Sequence, residues 1–103
     1  MSGIYDAVSD VLRICKQRLN RLDSDTSPDE YLTQRIMAAA AEQERIGIPL
    51  GDTVEDKMYL SDIVVWEYQS RDKPGGMPDW LRLKRRERWL SAQAHRKDSG
   101  NDT

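Results

Sequence analysis

Hydrophobic residues recur at helical spacing in four segments of the chain, and breaks containing polar residues, glycine or proline separate these segments. In the first, residues 4–22, the apolar positions follow steps of three and four. They are Ile4, Val8, Val11, Leu12, Cys15, Leu19 and Leu22. Such steps place side chains on one face of a helix, and the period-two alternation of a strand is missing. We therefore predict a helix over 4–22, with Cys15 as a small buried hydrophobic residue.

A second helix is predicted over residues 28–46. Ser27 has the chemistry of an N-cap, and Pro28 suits the first helical position. The four consecutive alanines at 38–41 combine high helix propensity with little bulk. They predict a seam where another helix approaches closely, either inside the subunit or between subunits. Gly47 then ends the helix with a backbone of positive φ.

The third helix is predicted over residues 54–70, where apolar side chains cover most of the circumference. A helix of this kind is usually central, so we expect it to form the core. Thr53 is the predicted N-cap of this helix, and Asp52 is the alternative. Asp56, three residues after Thr53, completes an arrangement that resembles a capping box with Asp in place of Glu.

The fourth helix is predicted over residues 78–94, after a break rich in glycine and proline. Apolar residues on its main stripe share one face of the helix: Trp80, Leu83, Leu90 and Ala94. Leu81 and Trp89 lie off that stripe, which indicates a second contact surface. Arginine and lysine dominate the remaining positions.

Together these segments predict an all-α fold, a small bundle of about four helices in a single domain over residues 1–94. Residues 95–103 have no apolar anchor, and we expect them to form a flexible C-terminal tail. A chain of 103 residues buries one modest core and leaves little surface for a deep cleft.

Charge divides the chain more clearly than the net value of −2 suggests. Residues 1–76 hold nine Lys and Arg against fourteen Asp and Glu, whereas residues 77–103 hold seven against four. An acidic body with a basic end is suited to contacts with copies of itself or with a partner of opposite charge. An ordinary solvated helix surface is the alternative interpretation.

Residues that could carry catalysis are scarce. The sequence contains one cysteine and one histidine, it lacks a phosphate-binding glycine loop, and its acidic clusters do not follow a calcium-loop spacing. We therefore predict no enzyme activity, no metal and no cofactor. The longest apolar stretches fall far short of a membrane span, and no signal peptide precedes them. We expect a protein made in the cytoplasm, without a membrane partner.

The segment 82–88 holds five cations in seven residues, flanked by Trp80 and Trp89. Cations with neighbouring aromatic rings can contact phosphates and stack on bases. A small helical nucleic-acid-binding regulator is therefore an alternative function. The tryptophans are more typical of core or interface anchors.

Four stretches of the chain follow one another in an order found in a known group of proteins. They are the acidic loop and helix start at 23–32, IMAAAAEQERIGI at 36–48, DKMYLSDIVVWEY at 56–68 and WLRLKRRERWL at 80–90. This order resembles the small head–tail connector, or head-completion adaptor, proteins of tailed bacteriophages and prophages. The resemblance covers residues 5–92. The long first helix and the strongly basic last helix depart from it.

The resemblance implies a structural protein at the head–tail junction of the virion, made in the bacterial host. In such a junction a ring of about a dozen copies lies beneath the portal protein, extends the DNA channel and offers a docking platform for neck or tail completion proteins. DNA passes through without sequence-specific binding. The resemblance is also compatible with a free subunit that is a monomer and forms the ring only in the virion.

The resemblance also assigns roles to residues. A portal or subunit interface is expected at Trp80, Leu81, Arg85, Arg86, Trp89 and Arg96. A channel-facing loop is expected at Asp52, Glu55 and Asp56, whose charge would repel passing DNA.

Overall fold

The computed structural model describes residues 3–21, 24–72 and 75–101, with side chains as far as residue 94. A 3-10 turn, Ile4–Ala7, leads into helix α1, Val8–Arg18, and three further helices follow. These are α2, Asp29–Arg45, α3, Val54–Ser70, and α4, Asp79–Asn101. The described residues contain no strand. The predicted all-α fold with four helices is confirmed.

Helix α3 lies at the centre of the molecule, as its apolar circumference predicted. Seven consecutive residues, 59–65, are buried, which requires neighbours on every side of the helix. Helices α1 and α2 pack against α3 and against each other. The buried apolar side chains that α1 and α2 contribute are Val11, Cys15, Leu32, Ile36, Ala39 and Ala40. Ala39 and Ala40 place half of the alanine run inside the subunit, whereas Ala38 and Ala41 are exposed.

Helix α1 ends at Arg18, four residues before the predicted end at Leu22, and Leu22 itself lies outside the described residues. Asn20 adopts a left-handed conformation with φ of 58°. The N–H of Asn20 donates to Gln17 O and the N–H of Arg21 donates to Lys16 O, at 3.2 and 2.7 Å. This pair of bonds is a Schellman motif, which closes a helix and reverses the chain.

Helix α2 begins at Asp29, and Ser27 does not cap it, so that prediction was wrong. The Ser27 hydroxyl and the Ser27 N–H both donate to Asp25 Oδ1, at 2.7 and 3.1 Å. Ser27 therefore hydrogen-bonds to Asp25 and does not cap the N-terminus of α2. Such local hydrogen bonds are typical of short polar side chains in turns.

The turn between α2 and α3 forms as predicted. Gly47 has φ of 95° and, with the buried Ile48, closes α2 in a second Schellman motif, since Ile48 N donates to Gln43 O at 2.8 Å. Thr53 Oγ1 accepts from Asp56 N at 3.1 Å and caps α3. The Asp56 carboxylate reaches further back than a capping box requires and accepts from Gly51 N at 2.7 Å.

Helix α4 differs from the other three in how it meets the body. The backbones of α1, α2 and α3 approach one another closely, whereas α4 has only sparse close backbone contacts with them. Its backbone continues to Asn101, beyond the predicted end at residue 94. The tail predicted over 95–103 lies outside the described side chains. We use the name body for residues 3–72 as described, against which α4 is docked.

Candidate interaction surface on the last helix

Two charged side chains of α4 pair with carboxylates on α3. Lys84 Nζ donates to Asp62 Oδ2 at 2.9 Å. One turn later the Arg88 guanidinium pairs with Asp56 and lies over the ring of Tyr59, 4.6 Å from its centroid. Leu81 is the one apolar residue of the described part of α4 that is fully buried. The helix is therefore anchored by one leucine and oriented by two ion pairs.

Asp62 is the most connected of these carboxylates. It lies in the middle of α3 and is only 6% exposed. Its Oδ1 accepts from the Arg18 guanidinium at the end of α1, and its Oδ2 accepts from Lys84 of α4. Arg18 also donates to Ser61 Oγ at 3.1 Å. A single buried carboxylate thus links three helices, and both of its oxygens are satisfied, as burial of a charge requires.

The opposite side of α4 is apolar and faces outward. Trp80, Leu83 and Leu90 are 51%, 60% and 51% exposed. These residues form the main stripe recognised in the sequence, which a surface helix normally turns toward its own core. Here Leu81, Arg85 and Arg88 lie toward the body instead, and the stripe stays about half exposed. Lys84 Nζ lies 5.9 Å from the Trp80 ring centroid, and Leu83 lines a groove beside the end of α2. We call Trp80, Leu83 and Leu90 the outward stripe.

A groove lies along another side of α4, beside the turn that ends α2. It encloses about 630 Å³, and its lining includes Ile46, Ile48, Leu83, Arg85, Arg86 and Trp89. The α2 turn and the helix meet closely there, since a Cβ on Gly47 would lie 3.4 Å from the Trp89 indole nitrogen and 3.2 Å from Gln93 Nε2. We call this space the α2–α4 groove.

The five cations of segment 82–88 divide into two groups. Three of them, Arg82, Lys84 and Arg88, each pair with a carboxylate. Arg85 and Arg86 have no carboxylate within ion-pair distance among the described side chains. Both line the α2–α4 groove, and Arg85 is half-buried. The positive charge still available to a ligand is therefore concentrated at this groove.

The structure separates the residues predicted as an interface. Trp80, Trp89 and Arg86 are exposed, while Leu81 is fully buried in the core and is removed from the interface. The side chain of Arg96 lies outside the described residues. The predicted interface did not include Leu83 and Leu90, because a second contact surface was predicted at Leu81 and Trp89, off the main stripe. The sequence feature that indicates which side of α4 faces α3 is the pair Asp56 and Asp62, which attract the basic side of α4.

The acidic residues predicted to face a channel have different surroundings. Asp52 and Glu55 are exposed at the start of α3. Asp56 is occupied by Arg88 and by the N–H of Gly51. Its carboxylate therefore stabilises the contact between α3 and α4, and only Asp52 and Glu55 present free charge.

Two buried groups have shifted proton affinities without any sign of a reactive centre around them. Burial raises the pKa of the Cys15 thiol to about 12, so the thiol stays protonated at neutral pH. Burial likewise raises the pKa of Tyr59 to about 12, and its hydroxyl donates to Gln43 Oε1 at 2.6 Å. Both groups act as core side chains in this arrangement.

Among the side chains of residues 3–21, 24–72 and 75–94, no group of His, Cys, Asp and Glu is arranged to hold a metal ion. None of the helices in that part of the chain combines the length and apolar character needed to cross a bilayer. Comparison with known proteins finds no match to any family model, curated protein or solved structure. The outward stripe and the α2–α4 groove are therefore interpreted from their own geometry.

Proposed function

We propose that this chain is a structural subunit of a head–tail connector in a tailed bacteriophage, forming a ring of about a dozen copies beneath the portal protein. In this proposal the ring extends the DNA channel, lets DNA pass without sequence-specific binding and provides a docking platform for neck or tail completion proteins. Its place is the head–tail junction of the virion, and it acts without catalysis.

The outward stripe is the observation that supports an assembly role most directly. Trp80, Leu83 and Leu90 are each about half exposed on one side of a single helix. Exposed apolar side chains grouped on one face are typical of protein–protein contacts, and tryptophan is enriched among the residues that dominate binding energy. The ion pairs of Lys84 and Arg88 hold another side of α4 against α3 and leave the stripe exposed.

Charge complementarity supports contacts between copies. Exposed carboxylates on the body include Glu30, Glu44, Asp52 and Glu55, whereas α4 is rich in arginine. A basic surface on one copy that meets an acidic surface on the next forms a head-to-tail contact, and such contacts close into rings when the rotation allows.

The test is to mix the purified protein with a portal protein from the genome that encodes it, followed by size-exclusion chromatography and negative-stain microscopy. We expect co-elution and a ring of added density on the portal. The variant Trp80→Ser with Leu90→Ser should abolish binding. Met37→Ser with Val54→Ser replaces two exposed apolar residues elsewhere and should retain it. Absence of portal binding by the folded wild-type protein at all concentrations would contradict the proposal.

A nucleic-acid-binding regulator is the second candidate, supported by the two arginines that lack carboxylate partners. Arg85 and Arg86 are available for phosphate contacts, while Lys84 and Arg88 are committed to α3. Two phosphate contacts supply little of the electrostatic free energy on which non-specific DNA binding depends. The engagement of Arg82, Lys84 and Arg88 in ion pairs therefore favours the assembly role.

A titration of fluorescent duplex and single-stranded DNA at low salt distinguishes the two candidates. The regulator hypothesis expects binding that weakens steeply with added salt and is lost in Arg85→Glu with Arg86→Glu. The connector hypothesis expects a flat titration for the wild-type protein.

A further inference from the structure

We propose that the α2–α4 groove is a peptide-binding site, and that its occupant is an acidic segment of a partner protein carrying one bulky apolar side chain. This inference concerns a surface distinct from most of the outward stripe, and it does not depend on the head–tail assignment.

Apolar side chains on the two walls of the groove supply one half of this site. Ile46 and Ile48, on either side of the Gly47 turn, form one wall, and Leu83 and Trp89 of α4 form the other. The volume of about 630 Å³ lies within the range of about 300–1,000 Å³ that is usual for ligand pockets. A space lined by two isoleucines, a leucine and an indole favours an aromatic or long aliphatic side chain.

The charged half of the site combines Arg85 and Arg86 with the Arg82–Asp79 ion pair, which also lines the groove and adds no net charge. Arg85 and Arg86 have no carboxylate within ion-pair distance among the described side chains. The hydrogen bond from Arg45 lowers the pKa of the Glu42 carboxyl, and the charge of Arg85 contributes to the same shift without an ion pair. A guanidinium presents a planar fork that matches a carboxylate, so two such groups beside apolar walls favour Asp or Glu next to the apolar anchor.

The same geometry argues against a nucleic acid in this groove. Non-specific nucleic-acid binding draws most of its free energy from many phosphate contacts. The groove offers only two guanidiniums without carboxylate partners. An acidic peptide satisfies those two cations and contacts the apolar walls at the same time.

The site is built on rigid elements, which favours recognition of a defined segment. Gly47 is held by a Schellman motif, and Arg88 on the adjoining side of α4 is fixed by Asp56 and Tyr59. The walls are therefore set before a ligand arrives, and little ordering free energy is lost on binding.

The experiment is a selection of random displayed dodecapeptides on the immobilised full-length protein. We expect the enriched sequences to place Asp or Glu beside Trp, Phe, Leu or Met. A synthetic, fluorescein-labelled copy of the most enriched peptide then serves as the probe in anisotropy titrations.

Three variants give the comparison. Arg85→Glu with Arg86→Glu should weaken probe binding by about tenfold or more, a loss of about 1.4 kcal/mol. Arg85→Lys with Arg86→Lys should retain part of the affinity. Arg13→Glu with Arg71→Glu makes the same change of net charge on exposed positions away from the groove and should bind like the wild type. Circular dichroism checks that every variant is folded.

Several outcomes would overturn the proposal. These are a selection without enrichment, enrichment of sequences that lack acidic residues, and equal loss of binding in the Arg13 and Arg71 control. Binding of a DNA oligonucleotide with the same sensitivity to Arg85 and Arg86 would assign the groove to nucleic acid instead. Concentration-dependent self-association in sedimentation velocity, abolished by the same variant, would assign it to a second copy of the chain.

Discussion

Helices α3 and α4 both carry large apolar side chains, but they use them in opposite ways. Helix α3 buries seven consecutive residues, whereas the described part of α4 fully buries only Leu81 and exposes Trp80, Leu83 and Leu90. The inward side of α4 is set by Lys84 and Arg88, which reach carboxylates on α3. Burial of apolar surface therefore decides the position of α3, while paired charges decide which side of α4 faces inward.

The two regions therefore differ in role, since the body stabilises the fold and the exposed side of α4 is available for interaction. The body depends on packed apolar side chains, which contribute about 25 cal/mol for each Å² removed from water. The α4 contact depends on Leu81 and two ion pairs, so the outward stripe remains exposed for another protein. The following changes test that division, from the largest expected effect to the smallest.

Replacing a core leucine tests the division most severely. Leu60→Ala, at a fully buried position in α3, should lower the free energy of unfolding by about 3 kcal/mol because it removes apolar contacts and leaves a cavity. Leu90→Ala makes the same chemical change on the outward stripe and should alter stability by less than about 0.5 kcal/mol. Urea unfolding followed by circular dichroism measures both. Similar losses in the two variants would show that the stripe contributes to the fold.

Removing the charge that links three helices comes next. Asp62→Asn should lower the free energy of unfolding by about 2 kcal/mol, because hydrogen bonds to a charged group are stronger than neutral ones. The partners Arg18 and Lys84 are partly exposed and regain water, which limits the loss. Hydrogen exchange should rise in α4 more than in α2. Asp52→Asn, at an exposed position, is the control and should change neither quantity.

A substitution in the Gly47 turn should have a smaller effect on stability, and it tests the contact between the body and α4. Gly47→Ala should lower the free energy of unfolding by about 1 kcal/mol, because an alanine is strained at φ of 95°. Its Cβ would also press on Trp89 and Gln93 of α4. Gly76→Ala, where an added Cβ meets nothing within 4 Å, should stay near the wild-type value in thermal and urea unfolding.

Raising the pH should leave the free energy of unfolding almost unchanged near neutrality and should lower it at alkaline pH. Burial raises the pKa of both Cys15 and Tyr59 to about 12, so the folded state favours their neutral forms. Their contribution to stability is complete below about pH 9 and is lost as the pH rises toward 12. Cys15→Ala should make this alkaline decline shallower in urea titrations at several pH values. An unchanged slope would contradict the assignment to Cys15.

Much of the fold was predictable because local signals set the ends of the helices. Gly47 and Thr53 marked a turn that the structure confirms, and the apolar circumference of 54–70 identified the central helix. The end of α1 was missed because Asn20 closes it in a left-handed conformation. Glycine signals that conformation strongly, whereas asparagine signals it weakly.

The interaction surface was less predictable because it depends on distances between helices. Periodicity identifies a stripe on α4 but does not tell which side meets the body. The side of α4 that meets the body is set by two ion pairs with α3. Asp56 and Asp62 lie six residues apart on α3, and their partners Arg88 and Lys84 lie four residues apart on α4. The spacings become complementary only when the two helices are docked antiparallel.

The buried carboxylate of Asp62 has a consequence for how such a chain can change over evolutionary time. Asp62, Arg18 and Lys84 constrain one another, so a change at one of them is tolerated best when the others change with it. The outward stripe carries no such constraint. A lineage that acquires a new binding partner can therefore rewrite Trp80, Leu83 and Leu90 while the three-helix body keeps its sequence, and covariation should separate the two sets of positions.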